Sequence, residues 1–223
     1  MKNRNQFRFL DLPIVVTRNV VSTKDPLDIF WLNLLEGRIK ESVEWVKLRF
    51  PNVERIHING PNVPQKDVQY VLDNITPTNK FRKTAESNEN LLWRIEGTFE
   101  QIRIGSGSWI TVDHAMNFSF PYVVVMGTTI TNQELNLILK NWIDMKCHLK
   151  TKQLEINLMD GENFLDTVLE NIPYEIGQPI VPLNPKHTVE AGYYIKRIDG
   201  LTDSIYIRDG PKGYFLISFF NEE

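Results

Sequence analysis

The chain has 223 residues, 42% hydrophobic and 24% charged, a balance that suits one compact body plus a small amino-terminal module and argues against disorder. A formal net charge of -3 gives no concentrated excess of Lys and Arg, so nucleic acid is not an expected partner. Apolar runs reach only about five residues against the ~20 that span a bilayer, and no signal-length apolar stretch follows the basic opening MKNRNQFRF, so no membrane association is expected.

Residues 7–50 read as short helices punctuated by Pro13 and Pro26, each able to occupy a first helical turn where its missing donor is not needed, with Asp25 placed to cap the second helix. Ile14, Val15, Val16, Val20 and Val21 are more β-branched than a lone helix favours, which predicts burial against a partner or the rest of the chain. After Pro51 the rhythm changes to strand followed by helix, with a strand over Val53 to Ile58 and a helical stripe of Val68, Val71, Leu72 and Ile75. Residues 76–97 read as a loop holding one short element of open type. Phe99 to Ile104 is the next strand. Gly105-Ser106-Gly107-Ser108 then suits a tight turn better than a phosphate loop, which would need a lysine and a long following helix.

A helical turn over Asp113 to Asn117, with Asp113 as its cap, precedes Tyr122 to Met126, a continuous apolar run bounded by proline and glycine that suits a strand buried on both faces. Thr131 and Glu134 form a capping-box pair, and Leu135, Ile138, Leu139, Trp142 and Ile143 follow at helical spacing on one stripe. Gln153 to Leu158 supplies a further strand. The unit is then strand, right-handed crossover helix and parallel strand. Phe164, Leu165, Val168, Leu169 and Ile172 predict a last helix, and Pro179, Pro182 and Pro185 an extended linker. Tyr193 to Ile198, Ser204 to Arg208 and Tyr214 to Phe219 alternate apolar and polar residues around Asp199-Gly200 and Asp209-Gly210 turns. The expected fold class is α/β (α+β). Degenerate leucine-rich-repeat-like βα units, with strands starting near 53, 99, 121 and 153, form a curved parallel sheet, and antiparallel hairpins from about residue 192 close it and cover its edge.

The polar residues offer little chemistry of their own. His57, His114, His148 and His187 have no ligand spacing, and Cys147 beside His148 lacks further donors, so neither a metal site nor a cofactor is expected. Cys147 is the single cysteine, which permits no intrachain disulfide and suits the cytoplasm or nucleus. Asp113 and His114 suggest a hydrolase pair, but no nucleophile elbow accompanies them, and no catalytic residue is assigned. Trp109 and Trp142 lie on or beside apolar stripes and read as core. Of the neighbours Lys196 and Arg197, one must point outward from its strand, which makes the pair a candidate target contact.

Four blocks carry a resemblance. Trp109-Ile110-Thr111-Val112-Asp113, the stretch from Thr131 to Trp142, and Leu154-Glu155-Ile156 follow in order, and Tyr194 to Gly200 with Asp203-Ser204-Ile205 stands downstream. Together they resemble the type 2 F-box-associated domain of nematode-type F-box proteins. Residues 7–50 resemble an F-box at Leu10, Leu12-Pro13, Val20, Pro26, Ile29-Phe30, Leu32 and Arg38, and depart from its pattern over Asn33 to Gly37. The resemblance implies a small helical F-box-like module at 7–50 and an F-box-associated domain at 51–223. It also implies a substrate-recognition subunit of a Skp-cullin-F-box ubiquitin ligase, without an active site of its own. The implied partners are a Skp-family adaptor, through it a cullin-RING ligase, and an unknown protein target. Leu10, Leu12, Pro13, Val16, Val20, Pro26, Ile29 and Leu32 are the implied adaptor contacts. The departure over Asn33 to Gly37 supports an alternative, a binding module of the same family that is no longer coupled to a ligase; a small hydrolase is the third.

Overall fold

The structure, a computed structural model, describes residues 29–33, 39–49, 53–59, 63–84, 99–148, 150–158, 164–177, 192–209 and 215–221. The chain divides between Phe99 and Glu100 into two compact units.

Unit 1 holds three parallel strands in the order β1 (Ile29–Asn33), β2 (Arg55–Asn59) and β3 (Lys80–Lys83), joined through helices α1 (Ile39–Arg49) and α2 (Gln65–Asn74). The two helices pack on one another, as expected if both parallel connections follow the usual right-handed rule and lie on one side of the strands. Ile39, Val43 and Val46 of α1, Val68 and Val71 of α2, and Ile56, Ile58 and Phe81 of the strands are buried and form the core. The stripe expected around Val68 is thus present. The Ile75 amide closes its helix on the Val71 carbonyl at 2.8 Å.

One expectation in this unit is corrected, and one element left open is settled. Ile29 to Asn33 is a strand and not part of a helix; all five residues pair in register with β2, from Ile29 opposite Arg55 to Asn33 opposite Asn59. A five-residue apolar run carries no period that separates strand from buried helix, so the ladder to β2 decides it. That ladder crosses residue 51, where the sequence places a domain boundary. Residues 76–97 also contain a full strand, β3. Its sequence KFRK has one apolar residue in four and gives no hydrophobic pattern to detect.

Unit 2 begins with β4 (Gln101–Ile104), α3 (Val112–Met116), β5 (Tyr122–Val125), α4 (Asn132–Ile143) and β6 (Gln153–Leu158). It continues with α5 (Phe164–Val168), β7 (Tyr174–Gly177), β8 (Gly192–Lys196), β9 (Thr202–Asp209) and β10 (Phe215–Asn221). The strand order is β4-β5-β6-β10-β9-β8-β7, parallel from β4 to β6 and antiparallel from there on. The carboxy-terminal strands cover the β6 edge of the parallel sheet by pairing with it. They extend it, with β10 hydrogen-bonded to β6 and β7 outermost in the order. Register partners Ile29, Arg55 and Lys80 in unit 1, and Gln101, Tyr122 and Gln153 in unit 2, recur roughly every 21–31 residues, close to the about 20–29 of leucine-rich repeats.

Helix α4 is built as its sequence requires. The Thr131 hydroxyl accepts from the Glu134 amide at 3.2 Å, and the Glu134 carboxylate accepts from the Thr131 amide at 2.8 Å, which satisfies two otherwise orphan donors. Leu135, Ile138, Leu139 and Trp142 are all buried. Asn136 lies on the same helix and donates to the carbonyls of Val168 at 2.8 Å and Glu170 at 2.9 Å, fastening α4 to the end of α5. Helix α5 is shorter than its apolar spacing predicts. Asn171 takes a left-handed φ of 57°, so Leu169 and Ile172 are buried from a turn, while Leu165 is exposed. The glycine segment is the tight turn expected of it: the Gly107 amide donates to the Met126 carbonyl at 2.7 Å, and a Cβ on Gly107 would lie 2.8 Å from Val125 Cγ1 and 3.0 Å from that carbonyl.

Substitution at two positions of α4 separates cap from core. Thr131→Ala is expected to cost about 1 kcal/mol by loss of the cap, and Trp142→Ala about 3–5 kcal/mol by loss of a buried aromatic. Urea denaturation midpoints measure both, and equal costs would show that the indole is not packed as core.

Candidate protein-interaction surface

Side chains alternate between the faces of a sheet, so the register fixes which residues meet. On one face of unit 2 lie Ile102, Ile104, Val123, Val125, Leu154, Ile156, Ile195 and Ile205, all buried. Helix α4 covers this face: its Ile138 and Trp142 line a water-sized cavity together with Leu154 and Asp203 from the strands and His148 and Thr151 from the loop before β6. Helices α3 and α5 both pack on α4.

The opposite face carries a different chemistry. One row runs Gln101, Tyr122, Gln153, through position 220 of β10, to Ser204, Tyr194 and Glu175; the next runs Arg103, Val124, Glu155, through position 218, to Tyr206. Tyr122 and Glu175 are exposed, Gln101, Arg103, Gln153 and Tyr194 are half-buried, and Val124, Glu155, Ser204 and Tyr206 are buried. Gln153 Nε2 donates to Glu155 Oε1 at 2.7 Å. These are aromatic and hydrogen-bonding groups suited to holding a polypeptide.

Unit 1 repeats the arrangement with more charge. Ile56, Ile58, Phe81 and Lys83 occupy the core face, and the full burial of Lys83 pushes its pKa down to about 8. The other face sets Arg55 opposite Lys80 and His57 opposite Arg82. Burial, with the charges of Arg82 and then Lys80, holds the His57 pKa down at about 4. Thr84 Oγ1 donates to Asn59 Oδ1 at 3.1 Å and so accepts from His57 Nε2 at 2.9 Å, which fixes that imidazole at the carboxyl ends of β2 and β3. Arg55 lies 3.1 Å from the Glu54 carboxylate.

The residues singled out from sequence fare differently. Leu10, Leu12, Pro13, Val16, Val20 and Pro26 lie outside the described residues. Ile29 and Leu32 stand in β1 opposite Arg55 and Ile58, on a strand where a helix was expected. Lys196 is exposed at the end of β8, as alternation requires of one member of its pair. Arg197 is engaged within the fold: its Nε and terminal nitrogen donate to Asp199 at 2.9 and 2.6 Å, and its guanidinium lies 5.5 Å from the centre of the Trp142 ring. The Arg197 hydrogen bond holds the Asp199 pKa down at about 2. With the Ile198 amide donating to the Ile143 carbonyl at 3.1 Å, the turn after β8 is fastened to the end of α4.

Asp113 and His114 are not arranged as a catalytic pair. Thr111, not Asp113, caps α3; its hydroxyl accepts from the His114 amide at 3.3 Å, and its own amide donates to His114 Nδ1 at 3.2 Å. His114 is thereby the return partner of a capping box and packs edge-on to Trp109, with ring centres 5.9 Å apart. Cys147 is buried, its thiol 3.7 Å from the Ile138 carbonyl and its pKa raised to about 11 by burial. Among the described residues no three His, Cys, Asp or Glu side chains are grouped to hold a metal ion, and no helix is long and apolar enough to cross a membrane.

Sequence reasoning missed Asn136 and Asn157. Asn157 is fully buried, and its Oδ1 accepts from the Thr128 amide at 2.8 Å, pinning the loop after β5 to β6. For Asn136 the available signal was an asparagine beside an apolar helix stripe, where a buried amide must find backbone partners; Asn157 alternates with the polar Gln153 and Glu155 of β6 and gave no such signal. The rows across the sheet had no signal, because each draws single residues from up to seven separate strands.

Residues 95–156, a stretch containing β4, α3, β5, α4 and the first four residues of β6, match the family model described as "FBA_2: F-box associated". No curated protein and no solved structure matches the chain. The matched segment includes the Trp109 block, the capped helix and Leu154 to Ile156; residues 7–50 and the block at 194–205 lie outside it.

The buried histidine of the cavity predicts an acid-sensitive fold. His148 Nδ1 lies 3.4 Å from Thr151 Oγ1, its Nε2 is buried without a hydrogen-bond partner, and burial holds its pKa at about 4, below the ordinary 6.5. The unfolded chain takes up this proton below pH 6.5 and the folded chain resists it down to about 4. The neutral-state stability is therefore whole above pH 6.5 and falls between 6.5 and 4, by at most roughly 3 kcal/mol from this group. His57 adds to the loss in the same window. His148→Asn tolerates the left-handed φ of 54° at this position and is expected to flatten the stability profile over that interval, measured by urea denaturation at pH 7, 5.5 and 4.

Proposed function

We propose that the chain is the substrate-recognition subunit of a Skp-cullin-F-box ubiquitin ligase, in which residues 7–50 engage a Skp-family adaptor and the sheet faces opposite the described helices hold a protein target. The F-box-associated match over residues 95–156 carries this reading. It is supported by the character of those faces, which offer aromatic, amide and charged groups for a polypeptide. In this scheme the chain is not an enzyme. It works by proximity, raising the effective concentration of the target's lysines at a cullin-RING ligase whose other subunits do the chemistry. Cytoplasm or nucleus is the compartment such an assembly implies, and neither cofactor nor metal enters the scheme.

One observation favours a second reading. Ile29 and Leu32, two of the eight residues assigned to the adaptor, belong to a strand paired along its length with β2. Backbone committed to this ladder is not part of a helical adaptor-binding module, which fits a target-binding protein uncoupled from a ligase.

Co-purification of the full chain with a Skp-family adaptor tests the two readings. The ligase reading expects micromolar or tighter binding, weakened at least about tenfold by Leu12→Ala, since one buried aliphatic side chain is worth roughly 1.5–3 kcal/mol. Folded, target-competent protein that does not bind the adaptor at micromolar concentration would establish the uncoupled module instead.

A further inference from the structure

Two hydrogen-bond acceptors meet on the core side of unit 2. Asp203 stands opposite Ile195 in β8 and two residues before Ile205, so it belongs to the apolar face of the sheet, and it is buried there. The Ser204 amide donates to one of its oxygens at 2.9 Å, and a carboxylate has about four acceptor sites in all. Its charge is felt in the turn after β8, where Arg197 is held protonated by its hydrogen bond to Asp199 and also by the charge of Asp203. His148, in the loop before β6, is the second acceptor. Thr151 Oγ1 donates its only proton to the Phe120 carbonyl at 3.1 Å, so it can only accept from His148 Nδ1, 3.4 Å away. Burial keeps the ring neutral at pH 7, with a pKa of about 4, and a neutral imidazole with its proton on Nδ1 carries a lone pair on Nε2. That atom is buried and has no hydrogen-bond partner.

Both groups border the same cavity, whose other described walls are Ile138, Trp142, Thr151 and Leu154. Its volume of about 10 Å³ is room for one water molecule. An imidazole lone pair and a carboxylate cannot donate to one another, and a buried acceptor left unmet costs stability. Water has two protons to give, one for each acceptor, and bridges two protein groups almost as well as a direct hydrogen bond. We propose that the cavity binds a single water molecule, which donates one hydrogen bond to His148 Nε2 and the other to the Asp203 carboxylate. In the sheet order β10 lies between β6 and β9, so no ladder joins the loop before β6 to the strand that carries Asp203, and the water supplies that link. A metal ion fits less well: among the described residues no third His, Cys, Asp or Glu is grouped with these two, and a protein-bound zinc takes at least three such ligands. The site is independent of what the chain recruits.

Magnetic resonance on the full chain at pH 7 tests the proposal. With isotope-labelled histidine, long-range proton–nitrogen correlation is expected to show His148 with its proton on Nδ1 and a bare, hydrogen-bond-accepting Nε2. Relaxation dispersion of the water oxygen nucleus counts long-lived internal waters without interference from exchanging hydroxyl protons. It is expected to report one fewer in Ile138→Phe, whose larger side chain fills the cavity, than in the unaltered chain. If Ile138→Phe fails to fold by circular dichroism, a crystal structure of the unaltered chain at pH 7 replaces that comparison. One density peak at about 2.7–3.2 Å from both His148 Nε2 and an Asp203 carboxylate oxygen is then expected. A proton on Nε2, an Asp203 oxygen bonded directly to that nitrogen, an equal water count in the two folded proteins, or a crystal structure without that peak would each overturn the proposal.

Discussion

Strand β6 is the constraint on which unit 2 depends. It is hydrogen-bonded on both edges, in parallel to β5 and antiparallel to β10, so it joins two halves built on different ladders. Neither pairing tolerates a slip of one residue, because the side-chain period of two would exchange Leu154 and Ile156 for Glu155 on the core face. Both partners therefore agree on one register, in which Val123 and Val125 stand beside Leu154 and Ile156. The cavity of α4, the Asn157 clamp on the loop after β5 and the polar rows of the other face all inherit their positions from it.

Within each unit the described helices pack together, which has a chemical consequence. The face under the helices is selected for volume and apolarity, and the other is released from that demand. In unit 2 the released face carries tyrosines, glutamines, two glutamates and an arginine, and in unit 1 it carries two arginines, a lysine and a histidine. The two units thus share an architecture and present different chemistry. Lys83 is an exception on the core side: it stands opposite Ile58, and its complete burial lowers the pKa to about 8, disfavouring its charged form. Arg197 illustrates the converse. A cation in the turn after β8 is drawn over the face of Trp142 and into a two-point contact with Asp199, so its charge orders a turn and is not presented for recognition.

The elements legible in the sequence were those that announce themselves locally. Thr131 with Glu134 marks a helix start because both partners lie within one turn, and Leu135 to Trp142 shows a stripe long enough to have a period. Strand β6 was read at its true ends. The illegible elements were β1, β3 and β7, of five, four and four residues, too short for a period and settled only by the ladders that neighbours offer. Without β1 and β3 the strand starts looked irregular; with them the repeat spacing becomes apparent. The surfaces were less legible still, because cross-strand neighbours such as Arg55 and Lys80, or Tyr194 and Glu175, are about 20 residues apart in sequence and become adjacent only through register.

The position of β1 bears on how coupling and recognition are to be separated. If residues 7–50 were a self-contained helical module, removing them would leave the remainder intact. Removal would instead strip β2 of a five-residue parallel ladder and take away α1, whose Ile39, Val43 and Val46 are buried. At roughly 1.5–3 kcal/mol for each buried aliphatic side chain, that loss alone is comparable to the whole stability of an ordinary domain. A truncated chain that no longer bound its target would then report the melting of unit 1 and say nothing about the adaptor. Substitutions outside β1 and α1, read together with a check that unit 1 is still folded, are what distinguish a chain that has lost its coupling from one that has lost its fold.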